Sequence, residues 1–463
     1  MPLAHPQTPA VATNLLGLIG NTPIVEITNF DTGPCRLFVK LENQNPGGSI
    51  KDRMAVSMVE AAERSSVLKP GGVIVEATAG NTGLGLALVA AAKKYHLIVV
   101  IPDKMSTEKI QHLHGLGADV RITRTDVDKH HPENYVNLAR RISETTPDSW
   151  FVDQFSNPAN PLAHEQTTGP EIWEQMDGDV DAVVCGVGSG GTLTGLSRFF
   201  ARVSPDTEIV LADPAGSSLA EYVRTGQLGP GGSYAVEGIG QSAIPPVADL
   251  SRVRRAYTVS DAESFHTARA LLREAGILSG SSSGTLVAAA IAYCREQSNP
   301  KQVVTFVCDS GSKYLSKMFN DFWMLDQGYI QLPKTGDLRD LILRRHQEGA
   351  VITVAPGDSL LTAYQRMRMA DISQLPVLQD GKPVGILDES DLLMAVQGGD
   401  ELFKEPVSRA MTTRLKTLRP DASIESVYEI LNEGLVAMIM DGDLFVGLIT
   451  RTDLLNFMRR RLR

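Results

Sequence analysis

The chain has few cysteines, few aromatics and no long apolar run, and each shortage removes a class of protein. Four cysteines, Cys35, Cys185, Cys294 and Cys308, stand among 463 residues and form no CxxC pair. That leaves no sign of a disulfide framework or a zinc ribbon. Cys185 and Cys308 fall in apolar, strand-like runs, so reduced, buried thiols are expected. His112 and His114, and His130 and His131, lie in polar segments without partners at ligand spacing, and no metal site is expected. No apolar stretch is long enough to cross a bilayer; "LALVAAAKK" reads as a short buried helix. The sequence does not open on a basic, apolar and small-residue succession, so no signal peptide is expected and the location is expected to be cytoplasmic. Positive charge is in the minority, with 44 Lys and Arg against 54 Asp and Glu for a net charge of −10. That balance argues against nucleic acid and anionic membranes as partners. The terminal "RRRLR" reads as a solvated helix end.

What is there is ordinary globular content, 43% hydrophobic and 21% charged, in a chain long enough for two or three domains. From Leu15 to about Gly328, short apolar runs alternate with helical patterns. "GVIVEA" (72–77), "LIVVIP" (97–102), "DAVVCGVG" (181–188), "EIVLAD" (208–213) and "QVVTFVCD" (302–309) read as buried strands. A segment such as Thr82–Lys94 has helical period. The alternation predicts an α/β core of two subdomains built on parallel sheets.

After "WMLDQGYIQLPKTGD" the character changes to an internal repeat. "LPVLQDGKPVGILDESDLLMAV" resembles "AMIMDGDLFVGLITRTDLLNFM", with Gly385 matching Gly447 and Asp391 matching Asp453, each 62 residues apart. Each copy reads as helix, strand, turn, strand, helix, with Asp-Gly hairpin turns at 380–381 and 441–442. The expected organisation is a tail over 1–13, a core over 14–328, a linker over 329–345 and a repeat pair over 346–463. The copies are placed at about 346–400 and 405–463.

Three glycine-rich stretches carry the chemistry. "EATAGNTGLGLA" (76–87) takes a strand into a helix whose first N–H groups suit an anion, with Asn81 in reach of a ligand oxygen. "GVGSGGTLTG" (186–195) combines glycines with Ser189 and Thr192 ahead of a helix, a phosphate cradle by its physics. It is not a P-loop, since no Gly-Lys-Ser/Thr follows, and no acidic ribose partner stands at the dinucleotide offset. "GILSGSSSGTL" (276–286) again leads small hydroxyl residues into a helix. Taken singly, each also reads as a tight turn or a flexible loop. Lys51, in "NPGGSIKDR", adds an amine after a glycine-serine turn. A lysine, an anion nest and a ring-nitrogen partner on one α/β sheet suit pyridoxal phosphate.

The sequence resembles the fold type II pyridoxal-phosphate β-family, which holds the cysteine synthases and cystathionine β-synthases. The resemblance covers roughly Leu15 to Ile330 and rests on "GNTPIVEI", "GGSIKDR", "TAGNTG", "NPANPLAHEQTTGPEI" and "GSGGT" in the family's order. It implies that Lys51 forms the Schiff base and that Asn81 lies beside the ring hydroxyl. It wraps Gly188, Ser189, Gly190, Gly191 and Thr192 round the phosphate and sets Ser282 against the pyridine nitrogen. It assigns Thr78, Gly80, Thr82 and Gln154 to the substrate carboxylate. A hydroxyl at the ring nitrogen disfavours transamination and suits elimination at Cβ followed by addition.

Within the family, Lys104 in "PDKMSTEK", Glu237 in "EGIG", "LADPAGS" and "DSGSKYLSKMFNDFWML" lean towards the haem-less cystathionine β-synthases. So does the repeat, which resembles a pair of CBS domains, a Bateman module. Thr450 and Asp453 match its nucleotide pattern and form a candidate site for an adenosyl ligand, S-adenosylmethionine or an adenine nucleotide. In the first copy Asp388 and Asp391 stand there without the hydroxyl. Two departures are Ala79 for the usual serine and Gln241 for a tyrosine near the reacting substrates. No Cys/His extension precedes the core, so no haem is expected. The resemblance implies condensation of L-serine with L-homocysteine, sulfide-forming side reactions and a homodimer or larger assembly, with Glu237 and Gln241 at the substrates. A cysteine synthase using O-acetylserine and sulfide, and an adenosyl sensor with a degenerate core, are the competing readings.

Overall fold

The β-branched runs read from the sequence form two sheets in one unit of the computed structural model. The structure describes residues 11–461 apart from Ala79, Lys104, Met105, Thr125, Lys129, His130, Leu332 and Leu343. Ala79 and Lys104, singled out above, and His130 therefore lie outside the described residues, as does the tail over 1–10. A first compact unit ends at Phe319 and a second starts at Asn320.

The larger sheet of the first unit runs in the order Ile24–Glu26, Arg36–Leu41, Gln302–Val307, Ala182–Cys185, Glu208–Pro214, Val253–Val259. Only its first pair is antiparallel. The smaller sheet is wholly parallel, in the order Asp119–Thr123, His96–Pro102, Val73–Ala77, Ser149–Phe151. Central strands such as Ala182–Cys185 are buried on both faces, so they read as continuous apolar runs rather than alternating ones. Parallel strands need crossover helices, and these cover both sheets. Met54, Met58, Leu84, Val89 and Val99 form part of the core between the smaller sheet and its helices.

The second unit holds the repeat. The first copy has a helix Leu360–Ala370, a hairpin of Gln374–Gln379 with Lys382–Asp388, and a helix Glu389–Val396. The second has a helix Ile424–Asn432, strands Ala437–Asp441 and Leu444–Ile449, and a helix Arg451–Arg461. Both hairpins shift register at the same place, after Val377 and after Ile439, opposite Gly385 and Gly447. A side chain at either glycine would strike a neighbour: Met411 Sδ lies 2.6 Å from a Cβ built on Gly385, and Ile342 Cγ2 lies 2.7 Å from one on Gly447. Leu338, Leu341 and Ile342, within the segment read as a linker, are buried in the core of the second copy.

Candidate active site

Four helices of the first unit that start in the quoted motifs begin without a side-chain cap. Lys51–Arg64 follows Ile50, and Asn81–Lys93, Gly191–Val203 and Ser281–Arg295 follow Gly80, Gly190 and Gly280. Of the unit's other helices, Tyr135–Thr145 and Asp261–Ala275 are capped by Asn134 and Ser260, whereas Thr107–Gly115 and Leu219–Thr225 also lack a side-chain cap. An uncapped first turn keeps its N–H groups for something else. Two of the four starts, Lys51 and Gly188–Thr192, line one cavity of about 370 Å³ together with Cys185, Ile239 and Cys308.

The glycine loop is tightly bound at its back. Gly190 takes φ +92°, which the turn into the helix requires. Asn160 Nδ2 donates to Ser189 Oγ (2.9 Å) and to the Gln154 carbonyl (2.8 Å). The amide of Gln241 donates to the Gly188 carbonyl at 2.9 Å, and its backbone N–H donates to Ser217 Oγ. Thr192 Oγ1 pairs with His164 Nε2 at 3.3 Å, and His164 Nδ1 pairs with Thr168 Oγ1 at 2.9 Å. His164 sits in a π-helical turn, His164–Thr168. Burial holds it well below the ordinary histidine range, and the charges of Lys51 and Arg53 add to that. It is therefore neutral, and its two nitrogens position hydroxyls.

Lys51 is half-buried at the mouth of the cavity. Burial holds its ammonium below the ordinary lysine range, against the opposing pull of Cys308 and Asp309. A lowered lysine spends more time as the free amine, the form that attacks a carbonyl or takes a proton. Cys308 is fixed between two helix starts. Its carbonyl accepts from Ile50 N–H (2.9 Å), and its N–H donates to Ser283 Oγ (2.9 Å). Its thiol lies against the Ser282 hydroxyl, and burial pushes it up to about 12.

A chain of ionic and polar contacts crosses the site. Asn81 Nδ2 donates to Asp309 Oδ2 (2.7 Å), and Lys313 Nζ donates to Asn81 Oδ1 (2.9 Å). Tyr314 O–H donates to the same Asp309 oxygen, and Lys109 Nζ donates to Tyr314 at 3.0 Å. Lys109 also pairs with Glu237 at 2.6 Å, and Lys317 pairs with the other Glu237 oxygen at 2.7 Å. Burial would raise the Glu237 carboxyl, but the two lysines outweigh it and hold it below the usual range. Lys109 lies over Gly80, where an added Cβ would fall 3.2 Å from its Nζ.

Thr78, Thr82 and Gln154 are all buried in the smaller subdomain. Thr78 Oγ1 accepts from Gly80 N–H, and Thr82 Oγ1 donates to Gln154 Oε1 at 2.7 Å. Gln154 in turn reaches Glu76. Behind Lys51, Arg53 makes paired hydrogen bonds to Glu42 and to Glu171, and Lys40 pairs with Glu171 at 2.9 Å.

The structure thus gathers Lys51, Asn81, Gly188–Thr192, Ser282, Thr78, Gly80, Thr82, Gln154, Glu237 and Gln241 within the first unit. Thr450 and Asp453 belong to the second unit, where Asp453 Oδ2 accepts from Thr450 N–H (2.8 Å) and Thr450 O–H (2.6 Å). Asp388 and Asp391 make the matching capping box in the first copy. The sequence reading passed over Glu76, Lys109, Asn160, His164, Asp309, Lys313 and Tyr314. All lie inside or beside quoted motifs, but contacts such as Lys109–Glu237, Asn81–Asp309 and Lys313–Asn81 join distant parts of the chain, and only the fold supplies them. Among the described residues, no group of three or more His, Cys, Asp or Glu is placed to hold a metal ion. None of their helices is long and apolar enough to cross a membrane.

The residues fit a ligand with a phosphate at one end and an aldehyde at the other. The glycine loop presents free N–H groups and small hydroxyls, and Lys51 presents an amine across the same cavity. The pyridoxal-phosphate dependent enzyme family matches residues 15–309, and the CBS domain matches residues 342–398 and 407–460. Cystathionine beta-synthase of Oryctolagus cuniculus is 34% identical over 476 residues, spanning 98% of this chain and 86% of the relative. Cysteine synthase A of Escherichia coli is 40% identical over 302 residues, spanning 64% of this chain and 92% of the relative. Among solved structures, an O-acetylserine dependent cystathionine beta-synthase from Helicobacter pylori superposes with a TM-score of 0.62 at 35% identity. It covers 66% of this chain and 98% of that one.

Proposed function

The chain belongs to the pyridoxal-phosphate dependent enzymes and, within them, to the cystathionine beta-synthases; from that premise we propose that it condenses L-serine with L-homocysteine to L-cystathionine and water. The observation that carries the reading is the Glu237–Lys109 pair over Gly80. A carboxylate and an ammonium side by side offer ionic partners to a second amino acid. Sulfide has no use for them.

The bound cofactor supplies an electron sink for the pair left at Cα. Lys51 would hold the cofactor through its side-chain amine, which is free to act as a base once the substrate is bound. The released amine removes the Cα proton and passes it to the β-hydroxyl as the C–O bond breaks, so water leaves. The homocysteine sulfur then bonds to Cβ, and its thiol proton returns through Lys51 to Cα. Asn81, already tied to Asp309 and Lys313, has one N–H left for the ring hydroxyl. Gly188–Thr192 hold the phosphate, with Thr192 oriented by His164. Ser282, a neutral partner, keeps the ring nitrogen uncharged, which favours β-replacement over transamination. Thr78, Gly80, Thr82 and Gln154 take the substrate carboxylate, and Gln241 braces the loop beside the reacting groups. The same chemistry with cysteine as first substrate releases sulfide. Thr450 and Asp453 take the ribose of an adenosyl ligand in the second unit. The active form is a homodimer or larger.

The second reading, cysteine synthesis from O-acetylserine and sulfide, is supported by Gln241 and by the likeness to cysteine synthase A. O-acetylserine is also the substrate named for the Helicobacter pylori enzyme. The deciding experiment offers purified holoenzyme L-serine with L-homocysteine, O-acetylserine with L-homocysteine, and O-acetylserine with sulfide, and measures products by mass spectrometry. Cystathionine from the first pair is expected. Cystathionine from the second pair alone would reassign the leaving group to acetate, and cysteine from the third alone would overturn the proposal.

A further inference from the structure

Glu76 is the penultimate residue of the buried strand Val73–Ala77, which leads directly into the Thr78–Thr82 segment, and it is 1% exposed. One oxygen, Oε1, lies 3.1 Å from the Gln154 amide, whose other end lies 2.7 Å from Thr82 Oγ1. The second oxygen, Oε2, is buried without a hydrogen-bond partner among the described residues. A charged carboxylate in that state is costly, whereas a protonated one loses much less. Burial accordingly pushes the carboxyl up to about 8, above neutrality. The groups that face it are few. Asp153 adds to the cost of a charge, the N–H groups of Gln154 and Asp153 reduce it, and Tyr135 approaches from its helix.

The heavy atoms admit two hydrogen patterns, because the two ends of an amide have the same shape. With Glu76 ionised, the Gln154 N–H donates to it, the amide oxygen takes the Thr82 proton, and Thr82 faces a ligand with lone pairs. With Glu76 protonated, its O–H donates to the amide oxygen, the amide nitrogen donates to Thr82 Oγ1, and the Thr82 proton is released. Only the second pattern suits a carboxylate ligand, which needs donors. The Ala77 carbonyl, 3.5 Å from the inner end of the amide, is too distant to hold the first pattern strongly.

We propose that Glu76 is a positioning residue, whose carboxyl proton sets the direction of a Glu76–Gln154–Thr82 relay so that Thr82 donates to the substrate α-carboxylate. The inference rests on the placement of that carboxylate under the proposed function. Ionisation of Glu76 reverses the relay and also puts a negative charge behind the binding segment. Substrate affinity then falls as pH rises through the Glu76 titration.

The test is calorimetric binding of L-alanine to holoenzyme near pH 7 and near pH 9. L-Alanine has the α-carboxylate and no leaving group, so the result is independent of which β-replacement the enzyme performs. The dissociation constant of the unmodified protein is expected to rise about tenfold more than that of Glu76→Gln, whose amide N–H donates at both pH values. Thr82→Val is expected to bind more weakly near pH 7 and to lack the extra pH-dependent loss. Equal pH slopes in the unmodified protein and in either variant would overturn the relay. Absence of L-alanine binding near pH 7 would overturn both the relay and the carboxylate placement. Failure to make cystathionine with L-alanine binding intact would overturn only the proposed reaction.

Discussion

A Cβ on Gly191 would fall 1.9 Å from Oδ1 of Asn160, whose Nδ2 donates to Ser189 Oγ. The loop backbone and the Asn160 amide are therefore packed to contact, and the amide holds one of the loop's hydroxyls. Gly191→Ala must displace Asn160, release Ser189 and shift the helix start. Overpacking of this kind costs about 1–3 kcal/mol. Because the strain falls on the loop proposed to hold the phosphate, it is expected as a loss of roughly tenfold or more in pyridoxal-phosphate affinity, read by equilibrium dialysis. An affinity within about twofold of the unmodified protein would show that the loop does not hold the phosphate there.

Lys51→Ala removes the one amine that the described residues place on the cavity wall. Turnover is expected to fall by at least about 10³-fold, since both proton transfers and the exchange of the cofactor linkage pass through it. The visible absorbance of lysine-linked cofactor is expected to vanish while circular dichroism stays unchanged. Full turnover in this variant would remove Lys51 from the mechanism.

Much of this was legible in the sequence, for a physical reason. Uncapped helix starts on glycine, buried parallel strands and a repeat with Asp-Gly turns are all local patterns. So the two-subdomain core, the glycine turn that leads into the helix Gly191–Val203 and the paired second unit could be read residue by residue. The ionic lattice could not. Lys109 meets Glu237 across 128 residues, Asn81 meets Asp309 across 228 and Lys313 meets Asn81 across 232. No periodicity encodes such pairs. Nor does a sequence distinguish a carboxyl that burial raises, such as Glu76, from one that its partners lower, such as Glu171. Burial and partners decide that, and both are properties of the fold.

Arg53 is the clearest case of a charge that the core cannot lose. It forks onto Glu42 at 2.7 and 2.8 Å and onto Glu171 at 2.7 Å through two nitrogens. Burial alone would raise the Glu171 carboxyl, but Arg53 and Lys40 bring it down to about 2. Arg53→Met is expected to cost about 3–5 kcal/mol in urea unfolding, because it strands buried carboxylates. The pH dependence follows. A depressed carboxyl stabilises above its unfolded value of 4.5, and that stability is lost as pH falls towards about 2. The unmodified protein should therefore show this acid loss, and Arg53→Met should show less of it.

Asp453 Oδ2 accepts twice from Thr450, which holds the carboxylate in one orientation. S-adenosylmethionine or an adenine nucleotide is expected to stabilise the folded full chain by preferential binding, by about 2.7 kcal/mol at a hundredfold excess over Kd, and so to raise its unfolding temperature. Asp453→Ala is expected to abolish the shift, while Asp391→Ala, in the copy without the hydroxyl, reduces it less. The absence of a shift with every adenosyl compound would leave the second unit without this ligand.

Glu76 also makes a stability prediction that is separate from its part in binding. Its folded value of about 8 lies above its ordinary value of 4.5, the reverse of Glu171. Between those values the folded state keeps a proton that the unfolded state has released. Stability from this group is therefore fully present below about pH 4.5 and is lost as pH rises through about 8. The full span corresponds to a loss on the order of 5 kcal/mol for a wholly buried carboxyl. Glu76→Gln carries no charge to bury, so its stability is expected to stay level over the interval in which the unmodified protein weakens. Urea unfolding at several pH values between 5 and 9 reads the difference directly. Parallel curves for the two proteins would mean that Glu76 is ionised in the folded state, and that the Gln154 amide is fixed with its N–H towards it.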